Sequence, residues 1–300
     1  MLRSICRSAL CRAGVTLIEL IVVIGILSLL IAILLPAIQD VRRAAARVSC
    51  QSNMRQIVLA LHNYENVHER FPSLPVRDGL KDVNMILQWM THILPQMEQE
   101  SLWVQAVTAT AADPNPWHNP PHAPFSTVIK SYVCSSDSRL AVPVIDVDGR
   151  RAGFTSYVGV GGGQQWDGVL GLPGPGVGPA DITDGLSQTV MIGERPPPGD
   201  LSAGEWYSNL TPGDGKYSGP DGGIWADNVA PYSANCNGAF RFGPGRLTNT
   251  CDRYHFWSLH SGGGNFAFCD GSVHFMTYSA ASILPALATR AGGEVVAVPD

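Results

Sequence analysis

The chain has 300 residues, including 32 Gly and 22 Pro, and this content of helix-breaking residues argues against a helical bundle. With 45% hydrophobic residues, seven Trp and nine Phe, it has enough apolar surface for a core, which excludes wholesale disorder. The net charge of −5, without an extended basic cluster, argues against nucleic acid as a partner.

The N-terminus predicts a membrane anchor. Residues 1–14 carry Arg3, Arg7 and Arg12 and no acid, and the apolar run Val15–Leu35 that follows is long enough to cross about 30 Å of hydrocarbon as a helix. The run is too long for the apolar core of a secretory signal peptide, so we expect a retained transmembrane helix over residues 15–36. A plain anchor does not explain Glu19, because a charge at the bilayer centre costs about 2.5–3.5 kcal/mol.

The segment Ala13–Leu20, AGVTLIEL, resembles the class III signal of type IV prepilins and type II secretion pseudopilins. The resemblance implies that prepilin peptidase cuts after Gly14 on the cytoplasmic side and that the new N-terminus, Val15, is methylated; the family usually has Phe there. It also implies that Glu19 pairs with the amino terminus of a neighbouring subunit during assembly. The head is then extracytoplasmic, either periplasmic or at the cell surface.

Beyond the membrane run, Pro36 predicts a kink. Apolar residues then recur at three- and four-residue steps, which predicts that the helix continues over residues 37–66 and packs on a head of residues 67–300. Four arginines on this helix are expected on its solvated face, with lipid headgroup contact as the alternative; they are Arg42, Arg43, Arg47 and Arg55.

The head is expected to be rich in strands and loops. Thr127–Val133 and Gln188–Ile192 are short, apolar or β-branched, and bounded by turn residues, which predicts strands. Apolar spacing on either side of Pro95 predicts one or two short helices between residues 86 and 107. The Gly- and Pro-rich stretch Gly159–Ala180 and the segment Glu194–Glu205 are typical of long loops.

Near the C-terminus, His260 is followed after nine residues by Asp270 and Gly271. The Asp-Gly pair predicts a hairpin with a type I′ turn, placing Phe268 opposite Val273 and Phe266 opposite Phe275 on a single core face. We expect His260 to donate a hydrogen bond into the adjacent glycine loop. A metal pair or an acid/base pair is less favoured because no third ligand with tight spacing accompanies His260 and Asp270.

Three ordered segments resemble a large prepilin-like family expanded in planctomycetes, domain of unknown function 1559, named for its H-X9-DG tail. The segments are Cys50–Tyr64 with Arg70–Pro72, Asp181–Arg195, and His260–Phe275. The resemblance implies a methylated, membrane-tethered, exported protein of the α+β class, with a long N-terminal helix and a β-rich, pilin-like head.

Cysteine usage fits an exported head. Cys6 and Cys11 would leave with residues 1–14, so five cysteines remain. Cys236 and Cys251 are close enough in sequence to favour a disulfide, and zinc is disfavoured because CxxC spacing is absent. Cys50 and Cys134 are candidates for a second disulfide, which leaves Cys269 as a free thiol. Three acids are candidates for a calcium site, but their sequence lacks the calcium-loop pattern and favours a turn; they are Asp181, Asp184 and Glu194.

The leading hypothesis is a structural or assembly subunit of a type IV pilus or type II secretion system, not an enzyme and without a cofactor or metal. Its partners would be prepilin peptidase, other pilin-like subunits or secretion machinery, and the inner membrane. The alternative is a tethered extracytoplasmic ligand-binding module or enzyme that uses the prepilin export route without polymerising.

Overall fold

A computed structural model describes residues 16–72, 87–146, 148–171, 174–208, 222–228, 236–294 and 296. Its longest element is helix α1, Leu17–His68, which continues through Pro36. The sequence placed the end of this helix near residue 66, and Glu69, with φ of +62°, follows its last residue. The chain divides into two compact units, residues 1–45 and 46–300, so the last part of α1 belongs to the larger unit.

Within the first unit, the apolar side chains of α1 are exposed; Leu17, for example, is 76% accessible. The stretch is long and apolar enough to cross a membrane, judged by length and composition. Within the larger unit, the same helix contributes buried side chains from Cys50 to Leu61. The architecture is therefore α+β, with a long helix followed by a β-rich head, as predicted.

In the described part of the head, three further helices are α2 (Trp89–His92), α3 (Glu100–Ala112) and α4 (Leu284–Ala288). The first two flank a 3₁₀ turn that begins at Pro95, as the apolar spacing predicted. The strand expected over residues 127–133 is wrong, because this stretch is irregular and includes the 3₁₀ turn Lys130–Tyr132. Ile129, Tyr132 and Val133 are buried, whereas Lys130 is exposed.

The main sheet consists of β3 (Tyr157–Gly162), β4 (Val190–Glu194), β5 (Gly223–Trp225), β8 (Gly263–Phe268) and β9 (Val273–Thr277). These five strands lie in the order β5-β3-β4-β8-β9. All neighbours are antiparallel except β3 and β5, which are parallel. Two short ribbons pair β1 (Val144–Ile145) with β2 (Arg151–Ala152) and β6 (Asp227–Asn228) with β7 (Phe240–Arg241).

Strand β3 corrects the expectation that residues 159–180 form a continuous loop, because its last four residues lie in this segment. Glycines permit close packing here: a Cβ on Gly159 would lie 2.8 Å from the carbonyl oxygen of Gly222. At these strand residues the glycines reflect close approach between neighbouring backbones, whereas the described residues from 163 to 178 contain no helix or strand, as the loop prediction requires.

Both faces of the five-stranded sheet are covered. One buried cluster joins the α1 side chains Met54, Ile57 and Leu61 with Ala267 and Cys269 near the end of β8. The other joins Phe266 and Phe268 with the α4 side chains Leu284 and Leu287. Because alternate residues of a strand point to opposite faces, β8 is buried on both of them. The single core face predicted for the hairpin is therefore wrong.

The β8–β9 hairpin lies where the Asp-Gly pair predicted it, but its register differs by one residue. Ala267 pairs with Val273 and Phe266 pairs with His274. The amide of Phe268 donates to the carbonyl of Ser272 at 2.9 Å, so the loop has three residues. Of the Asp-Gly pair, only Gly271 has a positive φ, +91°, whereas a type I′ turn needs two. The shift replaces the expected Phe-Phe pairing with an aromatic contact between Phe268 and His274.

Candidate functional site

The candidate site lies inside the head, where His260 meets Glu194. Nε2 of His260 is 3.3 Å from Oε1 of Glu194, and both side chains are almost wholly buried. The same nitrogen is 3.5 Å from Sγ of Cys134, and Nδ1 faces the hydroxyl of Ser136 at 3.5 Å. The imidazole thus contacts β4 and the segment around residue 134.

This placement corrects the expectation that His260 donates a hydrogen bond into the neighbouring glycine loop. The loop is held by Ser258, whose hydroxyl donates to the carbonyl of Gly263 at 2.6 Å and accepts from the amide of His260 at 2.9 Å. The backbone of His260 is therefore fixed by the loop, while its ring is available to other elements.

Glu194 is the last residue of β4, and its carboxylate is held from β8. Oε2 accepts from the amide of Asn265 at 2.8 Å, and Oε1 accepts from Nδ2 of the same residue at 3.0 Å. The amide oxygen of Asn265 in turn accepts from Nε2 of Gln51 on α1 at 3.1 Å. Burying carboxylate oxygens without hydrogen-bond partners is costly, so the contacts from Asn265 help to hold Glu194 inside the head.

The described residues contain two disulfides. Cys50 bonds to Cys134 with a Cα separation of 5.0 Å, and Cys236 bonds to Cys251 with a Cα separation of 5.5 Å. Both pairs are those that the sequence suggested. Cys269 is a free and buried thiol, and burial raises its pKa well above the usual range. A thiol with a raised pKa is a poor nucleophile at neutral pH, which favours a packing role for Cys269.

The first disulfide lies against the buried acid and imidazole. One ligand atom from each of Cys50, Cys134, Glu194 and His260 lies within 4.8 Å of the other three. All four residues are buried, and they come from α1, the segment before β1, the end of β4 and the segment before β8. The structure thus brings to His260 three side chains whose proximity the sequence did not indicate.

A family model for proteins of unknown function, DUF1559, matches residues 39–282, which is most of the chain. The chain belongs to the DUF1559 family. The competence protein ComGC of Halalkalibacterium halodurans is 31% identical over 62 residues, which cover 21% of this chain and 61% of that protein. No solved structure matches the chain.

In this DUF1559 protein, Asp270 does not join the four clustered residues. Its carboxylate accepts from the amide of Ser272 at 2.8 Å, and its own amide donates to the carbonyl of Leu186 at 3.0 Å. The motif residues therefore separate: Asp270 and Gly271 shape the hairpin loop, and His260 belongs to the buried cluster.

The polar network continues to Tyr157 on β3, which pairs with Glu194 in the sheet. The phenol donates to the carbonyl of Cys50 at 3.3 Å. Burial, followed by the nearby Glu194 carboxylate, raises the pKa of Tyr157 well above its usual range, so the hydroxyl keeps its proton at neutral pH. Tyr157 thus serves as a donor that ties α1 to the sheet.

The three acids considered for calcium have separate partners. Asp181 accepts from Arg70 at 3.2 Å, and Asp184 accepts from the amides of Gly292 and Gly293 at 2.7 and 2.9 Å. Glu194 belongs to the buried cluster. The contacts of the two aspartates are those of loop-stabilising carboxylates, in agreement with the turn interpretation.

A cleft of about 540 Å³ is lined by Arg70, Trp166 and Arg290 together with nearby loop residues. Both guanidinium groups already donate within the head, Arg70 to Gly176 and Asp181, and Arg290 to the carbonyl of Gly168. We therefore place the candidate site at the buried cluster.

The remaining sequence predictions concern the N-terminus. Gly14 and Val15 lie outside the described residues. Glu19 lies in the first turn of α1, where Oε2 accepts from both the amide and the hydroxyl of Thr16 at 2.8 Å. The amide of Glu19 donates back to the Thr16 hydroxyl at 3.3 Å, which completes a capping box.

Proposed function

We propose that this protein is a membrane-tethered, pilin-like structural or assembly subunit, exported with its head outside the cytoplasm. The observation that carries the proposal is the difference in exposure between the two ends of α1. Its first part presents exposed apolar side chains to the surroundings, and its last part is packed into the head. A subunit of this design is stored in the membrane by one end of a helix that is anchored in the head at the other.

The two disulfides support export, because such bonds persist in oxidising compartments. The resemblance of residues 13–20 to a prepilin signal supports processing by prepilin peptidase after Gly14, and the similarity to ComGC supports the pilin-like role. Other pilin-like subunits or secretion machinery are the partners that this role requires.

Processing is tested by mass analysis of the N-terminal peptide of the protein isolated from its host. We expect a first residue of Val15, with a methyl group on its amine. A chain that still begins at Met1, or one cut downstream of Pro36, contradicts the proposal.

Glu19 has two roles to distinguish: the proposed pairing with a neighbouring subunit, which needs its charge, and the capping of its own helix with Thr16. Glu19→Gln keeps a side chain that is able to complete a capping box, so the helix start is preserved while the charge is lost. Thr16→Ala removes the reciprocal hydrogen bonds, at a cost of about 1 kcal/mol, and keeps the charge. If Glu19 pairs with a neighbouring amino terminus, Glu19→Gln abolishes assembly and Thr16→Ala preserves it.

The readout is crosslinking of membrane-embedded subunits, with membrane fractionation as the control for insertion. The reverse pattern, in which Glu19→Gln assembles normally and Thr16→Ala does not, would assign Glu19 to capping alone.

A further inference from the structure

We propose that Cys50, Cys134, Glu194 and His260 form a zinc site when the two cysteines are reduced, so that this position in the head holds either a disulfide or a zinc ion. The four side chains provide two sulfur ligands, one nitrogen and one oxygen. This is a donor set that zinc accepts in four-coordinate sites.

The distances already approach those of such a site. With zinc–ligand bonds of about 2.0–2.3 Å, the edges of a tetrahedron measure about 3.3–3.8 Å. The imidazole nitrogen is 3.3 Å from the Glu194 oxygen and 3.5 Å from the Cys134 sulfur. The remaining separations are at most 4.8 Å, within about 1 Å of a tetrahedral edge. The two sulfurs are closer than an edge because they are bonded, and reduction releases them.

The surroundings would orient the ligands. Both donors of Asn265 fix the Glu194 carboxylate, and the ring of His260 has the Ser136 hydroxyl beside the nitrogen that faces away from Glu194. Such outer hydrogen bonds hold ligand side chains in the orientation that a metal needs. All four ligands are buried, so water would compete poorly for the ion.

Conversion of the disulfide to the zinc site begins with a two-electron reduction. An external dithiol gives two electrons and two protons to the Cys50–Cys134 bond, which becomes two thiols while the dithiol becomes a disulfide. Zinc then replaces the two thiol protons, which are released to solvent, and Glu194 and His260 complete the coordination. In the reverse direction, the disulfide of an external oxidoreductase accepts two electrons from Cys50 and Cys134. Their bond then forms again and the zinc ion is released.

Either state ties α1 to the sheet. The disulfide links α1 to residue 134 alone, whereas zinc would also engage β4 and the segment before β8 through Glu194 and His260. The alternative is a buried acid–imidazole pair that lies beside a permanent disulfide, and metal titration distinguishes the two.

The test uses the full chain, prepared under anaerobic reducing conditions in detergent with a phosphine reductant, which does not supply a competing thiol. We expect the reduced chain to bind one Co²⁺ with the absorption of a tetrahedral cobalt–thiolate centre, and Zn²⁺ to displace it. Zn²⁺ should also protect Cys50 and Cys134 from alkylation, as mapped on their peptides. The oxidised chain should show neither effect.

His260→Gln and Glu194→Gln should each weaken Zn²⁺ binding by about tenfold or more. The matched control is His274→Gln, since this ring contacts Ser272 and Phe268 in the hairpin and leaves the four ligands intact. Circular dichroism establishes that each variant is folded. The proposal is overturned if the folded, reduced chain binds no Co²⁺, if Zn²⁺ leaves Cys50 and Cys134 open to alkylation, or if His260→Gln binds as tightly as His274→Gln.

Discussion

Loss of the Cys50–Cys134 disulfide should destabilise the head more than loss of Cys236–Cys251. The first bond joins residues 84 positions apart and the second joins residues 15 apart. By the chain-entropy relation, closing these loops in the unfolded chain contributes about 4.6 and about 3.1 kcal/mol, a difference of about 1.5 kcal/mol. Cys50 and Cys134 are also nearly inaccessible, so removing their sulfurs adds a packing cost to the larger value.

The comparison is made between two double variants, Cys50→Ala/Cys134→Ala and Cys236→Ala/Cys251→Ala. Urea unfolding of the full chain in detergent, with a chelator present, is followed by Trp fluorescence. All seven Trp lie beyond position 46, so this signal reports the head. Because the loops do not overlap, the losses should add in the quadruple variant. An equal or larger loss from the 236–251 pair would refute the loop-length reasoning.

Three further outcomes are expected. Glu194→Gln should lower the free energy of unfolding in urea by about 2–4 kcal/mol. Both carboxylate oxygens accept hydrogen bonds from Asn265, and the introduced NH2 group would place a donor against one of those donors. Gly271→Val should cost more than about 1 kcal/mol and Gly271→Asn less, because a β-branched residue resists positive φ. The hydrogen bond from Arg241 holds the pKa of Asp227 below its usual range, so its stabilisation is present above about pH 4 and is lost as the pH falls through the lowered value. As the pH is lowered into the acid range, the melting temperature should therefore fall more steeply for the wild type than for Asp227→Asn.

The same measurements can also contradict each of these three expectations. A Glu194→Gln variant as stable as the wild type would mean that the hydrogen bonds from Asn265 to this carboxylate do not stabilise the head. Equal losses for the two Gly271 variants would remove backbone conformation as the cause. Parallel acid melting curves would show that the Arg241 contact does not persist in solution.

Periodicity predicted the parts of the fold that are governed by local rules. The end of α1, the short helices around Pro95 and the position of the β8–β9 hairpin follow from apolar spacing and turn residues. The hairpin register did not follow, because an Asp-Gly pair fits both a two-residue loop and the three-residue loop that forms here. Burial of β8 on both faces depends on α4, which lies after the hairpin in the chain.

The candidate site was only partly visible in the sequence. His260 was identified by its motif, and Cys50 and Cys134 were considered as a pair, but nothing in their spacing places them beside Glu194. The four residues are separated by stretches of 60 or more positions, so only the pairing of β4 with β8 and the packing of α1 bring them together. Metal sites with ligands so far apart lack the short spacings by which sequence patterns are recognised.

The Cys50–Cys134 bond turns residues 50 to 134 into a covalent ring. A protease that cuts the backbone once within this ring opens it without separating the chain, so the N-terminal helix and the rest of the head remain one molecule. A nicked protein would migrate as intact on a gel without reductant and as two fragments with it. Release of the head into the medium by a single cut within the ring therefore requires a reductant as well as a protease.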